Sequence, residues 1–467
     1  MHCRVLVLVP LISLLTGLNA GARPITFSST TTIATGIAHP EHVAVADFNH
    51  DGNADLVISS TYNQIAVFLG EGDGTFIGPT IYNLTFYVTG SVAIGDFNGD
   101  GNADLAVVGG DTSGNGLAFL SGRGDGTFNS PIYFQTTLAG ASLVAVAADF
   151  NHDHNLDLFV GGNGSSEVLL GNGHGDFQNG EFETGVTGNG VTVGDFNHDG
   201  NLDVATTQPY PSYNSNGVTV LLGNGDGTFQ SPQEYSGIDE PFAIASGDFN
   251  HDNKLDLAIT DYVMDTVVVL QGNGDGTFTN IGQSFANITP DAIAMSDFNV
   301  DGQTDLTFAC YNDNSVVVVL GTGQGTFPTI YYIPTGLGPS DVKAVDLNHD
   351  GAVDLVTVNN VDNTFSVVLS AAGTYVNLTS SPDPSTLGQT VTFTATAHGS
   401  SITLPLPSGT VTFKDGSTIL GSASLNNGTA TFTTSALTKG THNIMAGYSG
   451  DFYFNPNQSK IRIQKVQ

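Results

Sequence analysis

The sequence predicts an all-β chain, a seven-bladed β-propeller followed by a β-sandwich. Three observations carry this expectation. A nine-residue acidic motif recurs seven times at steps of 46 to 53 residues, a Gly-rich hairpin follows six of the copies, and no stretch sustains a helical period. A repeat of about 50 residues holding four short strands is the size of one propeller blade.

Each unit parses alike. The first motif reads Asp47-Phe-Asn-His-Asp51-Gly-Asn-Ala-Asp55, and the others begin at Asp96, Asp149, Asp195, Asp248, Asp297 and Asp346. A short alternating strand precedes it, residues 43–46 in the first unit and 92–95 in the second. The residue just before the first Asp is small in six copies (Ala46, Gly95, Ala148, Gly194, Gly247, Ser296) and Val345 in the last, as suits innermost strands that converge on an axis. A second strand (55–59), a polar turn and a third strand (65–69) follow. The hairpin Gly70-Glu-Gly-Asp-Gly-Thr-Phe76 comes next, with Gly at the positions a tight turn demands.

The hairpin Phe opens a fourth, outer strand and recurs at Phe128, Phe177, Phe229, Phe278 and Phe327. The seventh unit lacks it. Residues near 25–33, around Phe27, are expected to supply that outer strand, so that both chain ends pair and no edge stays open. The propeller then spans 24–371.

The acidic loop has the composition of a cation site. Asp at positions 1, 5 and 9, Asn at 3 and a backbone carbonyl at 7 offer five oxygens, with Gly at 6 for the sharp turn. This is the ligand order of an EF-hand loop without its helices or its twelfth-position Glu. The seven sets are Asp47, Asn49, Asp51, Asn53, Asp55; Asp96, Asn98, Asp100, Asn102, Asp104; Asp149, Asn151, Asp153, Asn155, Asp157; Asp195, Asn197, Asp199, Asn201, Asp203; Asp248, Asn250, Asp252, Lys254, Asp256; Asp297, Asn299, Asp301, Gln303, Asp305; and Asp346, Asn348, Asp350, Ala352, Asp354. Position 7 varies because only its carbonyl is needed. Hard oxygens argue against Zn and Cu, and irregular loop geometry suits Ca²⁺ better than Mg²⁺.

Asp and Asn also suit turns that bind nothing. That reading leaves three carboxylates repelling at about 4 kcal/mol per pair at 4 Å and an effective dielectric of 20, seven times over. We therefore expect up to seven Ca²⁺ ions, mainly structural. His154 and Asn253 replace the position-6 Gly in the third and fifth loops. Asn enters the left-handed region readily, so the third loop is the expected weakest binder.

With its DxNxDGNxD and LGxGDGTF motifs, the unit resembles the FG-GAP/VCBS repeat family of integrin α-subunit propellers and many secreted bacterial proteins. The resemblance covers residues 24–371. It implies a propeller with calcium loops on one face, held by the positions named above, and a partner-binding surface on the other.

Residues 373–467 differ in character. Short alternating strands at 390–396, 409–416, 428–434 and 440–451 suggest an all-β sandwich without a cysteine pair. The segment resembles bacterial Ig-like domains, which implies a spacer or adhesive module.

The 467 residues carry 44 acidic and 10 basic side chains, a formal net charge of −34. Between 24 and 371 the basic residues are Arg123, Lys254 and Lys343, too few to neutralise phosphates, so nucleic acid is excluded as a partner. Residues 1–22 read as a secretory signal peptide: Arg4, a short apolar run, then Ala20-Gly-Ala22. No segment is long enough to span a membrane as a helix. Cleavage near Ala22 would remove Cys3 and leave Cys310 as a small buried hydrophobe.

No hydrolase, metalloprotease or nucleotide-binding signature is present. His50, His152, His198, His251 and His349 all occupy loop position 4 and read as solvated loop residues. Arg123-Gly124-Asp125 falls where sibling hairpins read Asn-Gly-Asp, and reads as turn chemistry. On the face opposite the loops, turns carry Tyr62, Tyr210, Tyr213, Tyr262 and Tyr311, compact contact residues for protein or glycan. The expected function is a non-enzymatic, secreted or cell-surface binding and adhesion protein, its partner an unknown extracellular protein or glycan. The alternatives are a polysaccharide-binding lectin, a carbohydrate-active lyase or hydrolase, and a structural surface component.

Overall fold

The computed structural model describes residues 25, 27 and 30–467, apart from 87–89, 112–113, 137, 139–143, 163–164, 185–188, 209–216, 287–289, 300, 371–373, 400–405, 452–453, 455 and 460. The expected signal peptide, Tyr210 and Tyr213 lie outside the described residues.

Seven four-stranded antiparallel sheets come first. Sheet 1 is Pro40–Ala46, Asp55–Ser60, Gln64–Gly70 and Phe76–Asn83, in that spatial order. Sheets 2 to 6 repeat this order, beginning at Val92–Gly95, Val144–Ala148, Val191–Gly194, Pro241–Gly247 and Pro290–Ser296. Sheet 7 begins at Pro339–Val345, and its fourth strand is Thr31–Ala34, from the other end of the chain. Thr31 faces Val367 and Ala34 faces Thr364, while Phe27 makes a separate bridge to Ser370. The expected pairing of the two ends is present, with the strand at 31–34 and Phe27 as an outlying anchor.

The first strand of each sheet lies against the first strands of its neighbours, and that of sheet 7 lies against that of sheet 1. The arrangement is propeller-like. Second strands such as Asp55–Ser60 and Asp305–Cys310 are wholly buried, because they pack between sheets on both faces. Cys310 is buried as expected.

Aromatic rings join successive sheets. The loop Phe of one sheet meets the hairpin Phe of the next edge-on: Phe48 with Phe128 at 5.3 Å, Phe97 with Phe177 at 5.5 Å, Phe196 with Phe278 at 5.5 Å. Such pairs add about 0.5–1.5 kcal/mol beyond their buried area. Phe27 joins the cluster of Phe298, standing where sheet 7 lacks a hairpin Phe.

The hairpin Phe does not always open the outer strand. In sheets 2, 4 and 6 that strand begins later, at Ile132, Gln233 and Thr329. Each start follows a proline (Pro131, Pro232, Pro328), which has no N–H to give the ladder.

The C-terminal domain stacks a three-stranded sheet (Thr374–Ser381, Val391–Gly399, Thr429–Thr434) on a second sheet. The second holds Thr418–Ser424, Thr410–Asp415, Gly440–Tyr448, Asn457–Gln458 and Arg462–Val466. Its core is apolar as expected, built on Val391, Phe393, Phe413, Ile444 and Ala446. Among the described residues, no helix is long and apolar enough to cross a membrane.

Candidate functional site

All seven acidic loops lie at the same end, each between the first and second strand of its sheet. One hydrogen-bond frame repeats in all of them. In the first loop, Asp47 accepts from the amides of Asp51 (3.2 Å) and Gly52 (2.9 Å), Asn49 Oδ1 accepts from Asp51 N (3.1 Å), and Asp51 Oδ1 accepts from Asn53 N (2.7 Å). Asp55 is fully buried, taking the amides of Phe48 and Gly70, both at 2.8 Å. In the third loop, His154 adopts φ +69° where Gly stands elsewhere, and its amide still donates to Asp149 at 3.0 Å. Asn253 does the same toward Asp248 at 2.9 Å. The third loop therefore keeps its siblings' backbone, at the steric cost of a left-handed histidine.

The position-9 carboxyls bear the electrostatic load. Burial, aided by the charges at positions 1 and 5, pushes Asp104, Asp157, Asp203 and Asp256 up to about 6. Asp305 reaches about 7 and Asp354 about 8, against the pull of two backbone amides each. Among the described residues no Lys, Arg or His forms an ion pair with these carboxylates. Among the described residues, no three His, Cys, Asp or Glu side chains converge as a metal site. The loop oxygens are turned to the loop's own amides instead. Their donor chemistry nonetheless suits a hard cation, because every side chain at positions 1, 3, 5 and 9 is an oxygen donor and an ionised carboxylate oxygen has lone pairs beyond one amide bond.

The position-4 histidines are exposed, yet they do more than meet solvent. His50 Nε2 donates to Asn102 Oδ1 (3.0 Å) in the next loop, His152 to Asn201 (3.0 Å), His251 to Gln303 Oε1 (2.7 Å) and His349 to Asn53 (2.9 Å). An amide oxygen only accepts, so Nε2 carries the proton. The reading of these residues as merely solvated is thus corrected for four of the five. Their partners are position-7 side chains, an amide in all four cases, so that side chain serves the joint between sheets. The hairpin Gly124, at φ +70°, sits against this joint, where a Cβ would strike Asn102 Oδ1. Local sequence could not reveal the pairing, since the two partners are about 50 residues apart and meet only when neighbouring sheets pack.

The opposite end is built differently. Tyr62, Tyr262, Val263, Met264, Leu337 and Val361 are exposed there, at 37–56%. They form a crescent over sheets 5, 6, 7 and 1. Phe242 meets Tyr262, Asn312 donates to the Tyr262 hydroxyl (3.3 Å), and His39 stacks edge-on to Tyr62 at 5.5 Å. Tyr311 and Val361 both flank Gly338. Three of the five expected tyrosines thus share this crescent.

Sequence reasoning missed the acids beside it. Glu41 accepts from Asn360 Nδ2 (2.6 Å), and Asp291 accepts from Tyr311 N (2.9 Å). Burial raises both carboxyls, Asp291 to about 7, and each feels the other groups of the cluster: the Glu41 charge raises Asp291, and Asp341 raises Glu41. Burial would raise Asp341 as well, but Lys343 Nζ at 2.9 Å, with His42, holds it down to about 2. The available signal was the shared Pro-x register: Pro40, Pro290 and Pro339 each open a first strand one residue before a bulge.

The FG-GAP-like repeat family matches six segments, residues 47–107, 96–160, 149–206, 212–259, 248–306 and 297–357. The chain belongs to the FG-GAP-like repeat family. Residues 378–467 match the bacterial Ig-like domain (group 3). Among curated proteins none matches the FG-GAP chain in sequence. Two solved structures of BBS1N in complex with ARL6DN, soaked with lead and with mercury, resemble its fold. They are 12% identical, cover 74% of this chain and 96% and 97% of theirs, with TM-scores of 0.50 and 0.51. An Agrocybe aegerita lectin described as recognising non-reducing terminal N-acetylglucosamine aligns at 17% identity, over 64% of this chain and 81% of that one, with a TM-score of 0.44.

Proposed function

We propose that this FG-GAP protein is an exported, non-enzymatic binding module. Its seven sheets are the blades of a closed ring, stiffened by Ca²⁺ in the carboxylate loops, and the opposite face receives an extracellular partner. The observation that carries the reading is the division of labour between the two ends. One end repeats a single carboxylate frame in all seven sheets, while the other, among the described residues, exposes tyrosine and aliphatic side chains that differ from turn to turn. Repetition suits a structural task, and a varied exposed surface suits recognition.

Each Ca²⁺ would be held by the side chains at loop positions 1, 3, 5 and 9 and the carbonyl at 7. The ions would supply the positive charge that the position-9 carboxyls lack. Export rests on residues 1–22, and the bacterial Ig-like domain is compatible with a surface or extracellular setting.

Calorimetric titration with Ca²⁺ tests the metal half, with up to seven ions expected per chain. A screen against glycan arrays and polysaccharides tests the other half. Binding without turnover that is lost in Tyr62→Ala and Tyr262→Ala supports the module. Catalytic turnover would overturn it. The second reading, a glycan ligand, is favoured by the placement of Glu41 and Asp291 beside the tyrosines, where carboxylates accept hydroxyls and rings stack on sugar faces.

A further inference from the structure

The outer face of the second sheet of the Ig-like domain is both apolar and basic. Along Arg462–Val466 the side chains alternate, with Gln464 and Val466 buried and Ile463 and Lys465 turned outward. Cross-strand register sets Asn443 beside Ile463 and Thr441 beside Lys465, then Met445 beside Lys414 and Lys414 beside Ile419. Ile419 is 63% exposed, Ile463 51%, and Ile461, just before the strand, 59%. Among the described residues, Lys414 and Lys465 enter no ion pair. The domain's three carboxylates are engaged elsewhere, Asp383 with Arg462, Asp415 with His442 and Asp451 with Ser408. A hollow of about 420 Å³ opens on this face, lined by Lys414, Ile419, Gly447, Pro456 and Gln458.

Contiguous exposed apolar surface rimmed by charge marks an interaction site. The chain's own ring does not cover this one, since the isoleucines are exposed with the ring present. Two copies of the face meeting each other would set lysine against lysine. A polyanion would take the lysines and leave the isoleucines in water. An anionic lipid surface would take both, but it would bring residues 24–371, with 41 acidic and three basic side chains, against like charge. The occupant that fits is a protein surface with an apolar centre and an acidic rim.

The crescent at the far end of the ring has that pattern. Tyr262, Val263, Met264, Leu337 and Val361 are exposed at its centre. Asp239, Glu240, Asp265 and Asp362 stand in the same turns. Tyr262 N donates to the Glu240 carbonyl and Asp239 N to Asp261, both at 3.0 Å, and Leu337 N donates to Asp362 at 2.9 Å. These turns contain no Lys or Arg. Isoleucine then meets aliphatic surface, lysine meets the carboxylate rim, and a tyrosine ring enters the hollow as an aromatic anchor in a pocket.

We propose that the isoleucine–lysine face of one chain docks on the tyrosine crescent of a second copy, head to tail. The two surfaces differ, so each docked pair leaves one of each free, and the contact propagates into a chain of molecules unless the rotation between copies closes it. This inference rests on the reading of the crescent as a partner surface, and names the partner.

Sedimentation velocity of the purified full chain over a range of concentrations is the test. The expected result is a mass that grows with concentration past the dimer and falls back as salt rises, because the lysines and the acidic rim are screened. Lys414→Glu with Lys465→Glu sets like charge against the rim and weakens association at least about tenfold. Tyr262→Ala with Met264→Glu does the same from the other side. Ile132→Ser, on the exposed outer strand of sheet 2, leaves association unchanged. Mixing the two deficient pairs brings one intact face to one intact crescent, and yields a dimer that grows no further. Far-UV circular dichroism checks that each variant is folded, and Ile463→Ser replaces the lysine pair should that fail to fold. A wild-type chain that stays monomeric overturns the docking, and a glycan held at the tyrosines of that monomer leaves the crescent its role with another partner. Association lost in the lysine pair but kept in the Tyr262 and Met264 pair overturns the crescent as the receiving surface. Uptake of a monomeric chain by vesicles of anionic lipid, lost in the lysine pair, overturns the second copy in favour of a membrane.

Discussion

Within the fourth loop, Asp199 and Asp203 separate what the proposed cation would contribute from what the fold contributes. Asp203 is buried and accepts the amides of Phe196 and Gly223, both at 2.8 Å. Asp199 is exposed and accepts from Asn201 N at 2.8 Å. Asp203→Ala strands two buried amides, each costing about 1–3 kcal/mol. Relief of burial and of repulsion from Asp199 and Asp195, the causes that push this carboxyl to about 6, offsets part of that loss. A net cost of about 1–3 kcal/mol remains with chelator. A lost ion adds about 1.4 kcal/mol at ten times Kd.

Asp199→Ala behaves differently. It costs about 1.4 kcal/mol in Ca²⁺ through the lost ion, and with chelator it is neutral or stabilising, because one of three mutually repelling charges is gone. The assay is denaturant unfolding of each variant in Ca²⁺ and in EDTA, following the transition of the ring. The sign of the Asp199→Ala effect decides. An identical cost in both conditions refutes the argument, since no ion would then be lost with the side chain.

Ile33→Asp places a charge in the fourth strand of sheet 7 against Phe365 and Val367, and is expected to destabilise the repeat domain by about 3 kcal/mol in urea unfolding. Asp291 has a folded pKa of about 7 against an ordinary 3.8, so the folded state holds its proton more tightly and stability falls as pH rises from about 4 to about 7. Asp291→Asn should therefore stabilise by about 2 kcal/mol at pH 8, half the full linkage value because water reaches the group, and leave stability at pH 4 unchanged. His442 is raised by the Thr438 carbonyl at 2.8 Å and by Asp415 at 2.6 Å. Its contribution is complete below about pH 6.5 and lost as pH rises through its folded value, so His442→Gln should flatten that decline in thermal melts of the C-terminal domain.

Much of this molecule is local chemistry repeated. The spacing of Asp47 to Asp346, the Gly-rich hairpins and the small residues before each loop each act within a few residues of chain, so the strand order and the place of each loop in it were legible without coordinates, whereas the loop's hydrogen bonds to its own amides were not. Even the pairing of the start of the chain with sheet 7 was readable, because a unit missing its outer strand leaves an edge that some other segment must cover.

Contacts between units were not legible. His50 and Asn102 meet across 52 residues of chain, and nothing local distinguishes that histidine from a solvated one. Glu41 and Asp291 share the same end only because first strands gather around one axis. Ala352 is buried in a cluster that holds Val376 and Leu378, residues of a different sheet. Periodic sequence determined what each four-stranded sheet is made of. Tertiary packing alone decided which residues of different sheets touch, because side-chain burial and electrostatic coupling are set by distance in space and not along the chain.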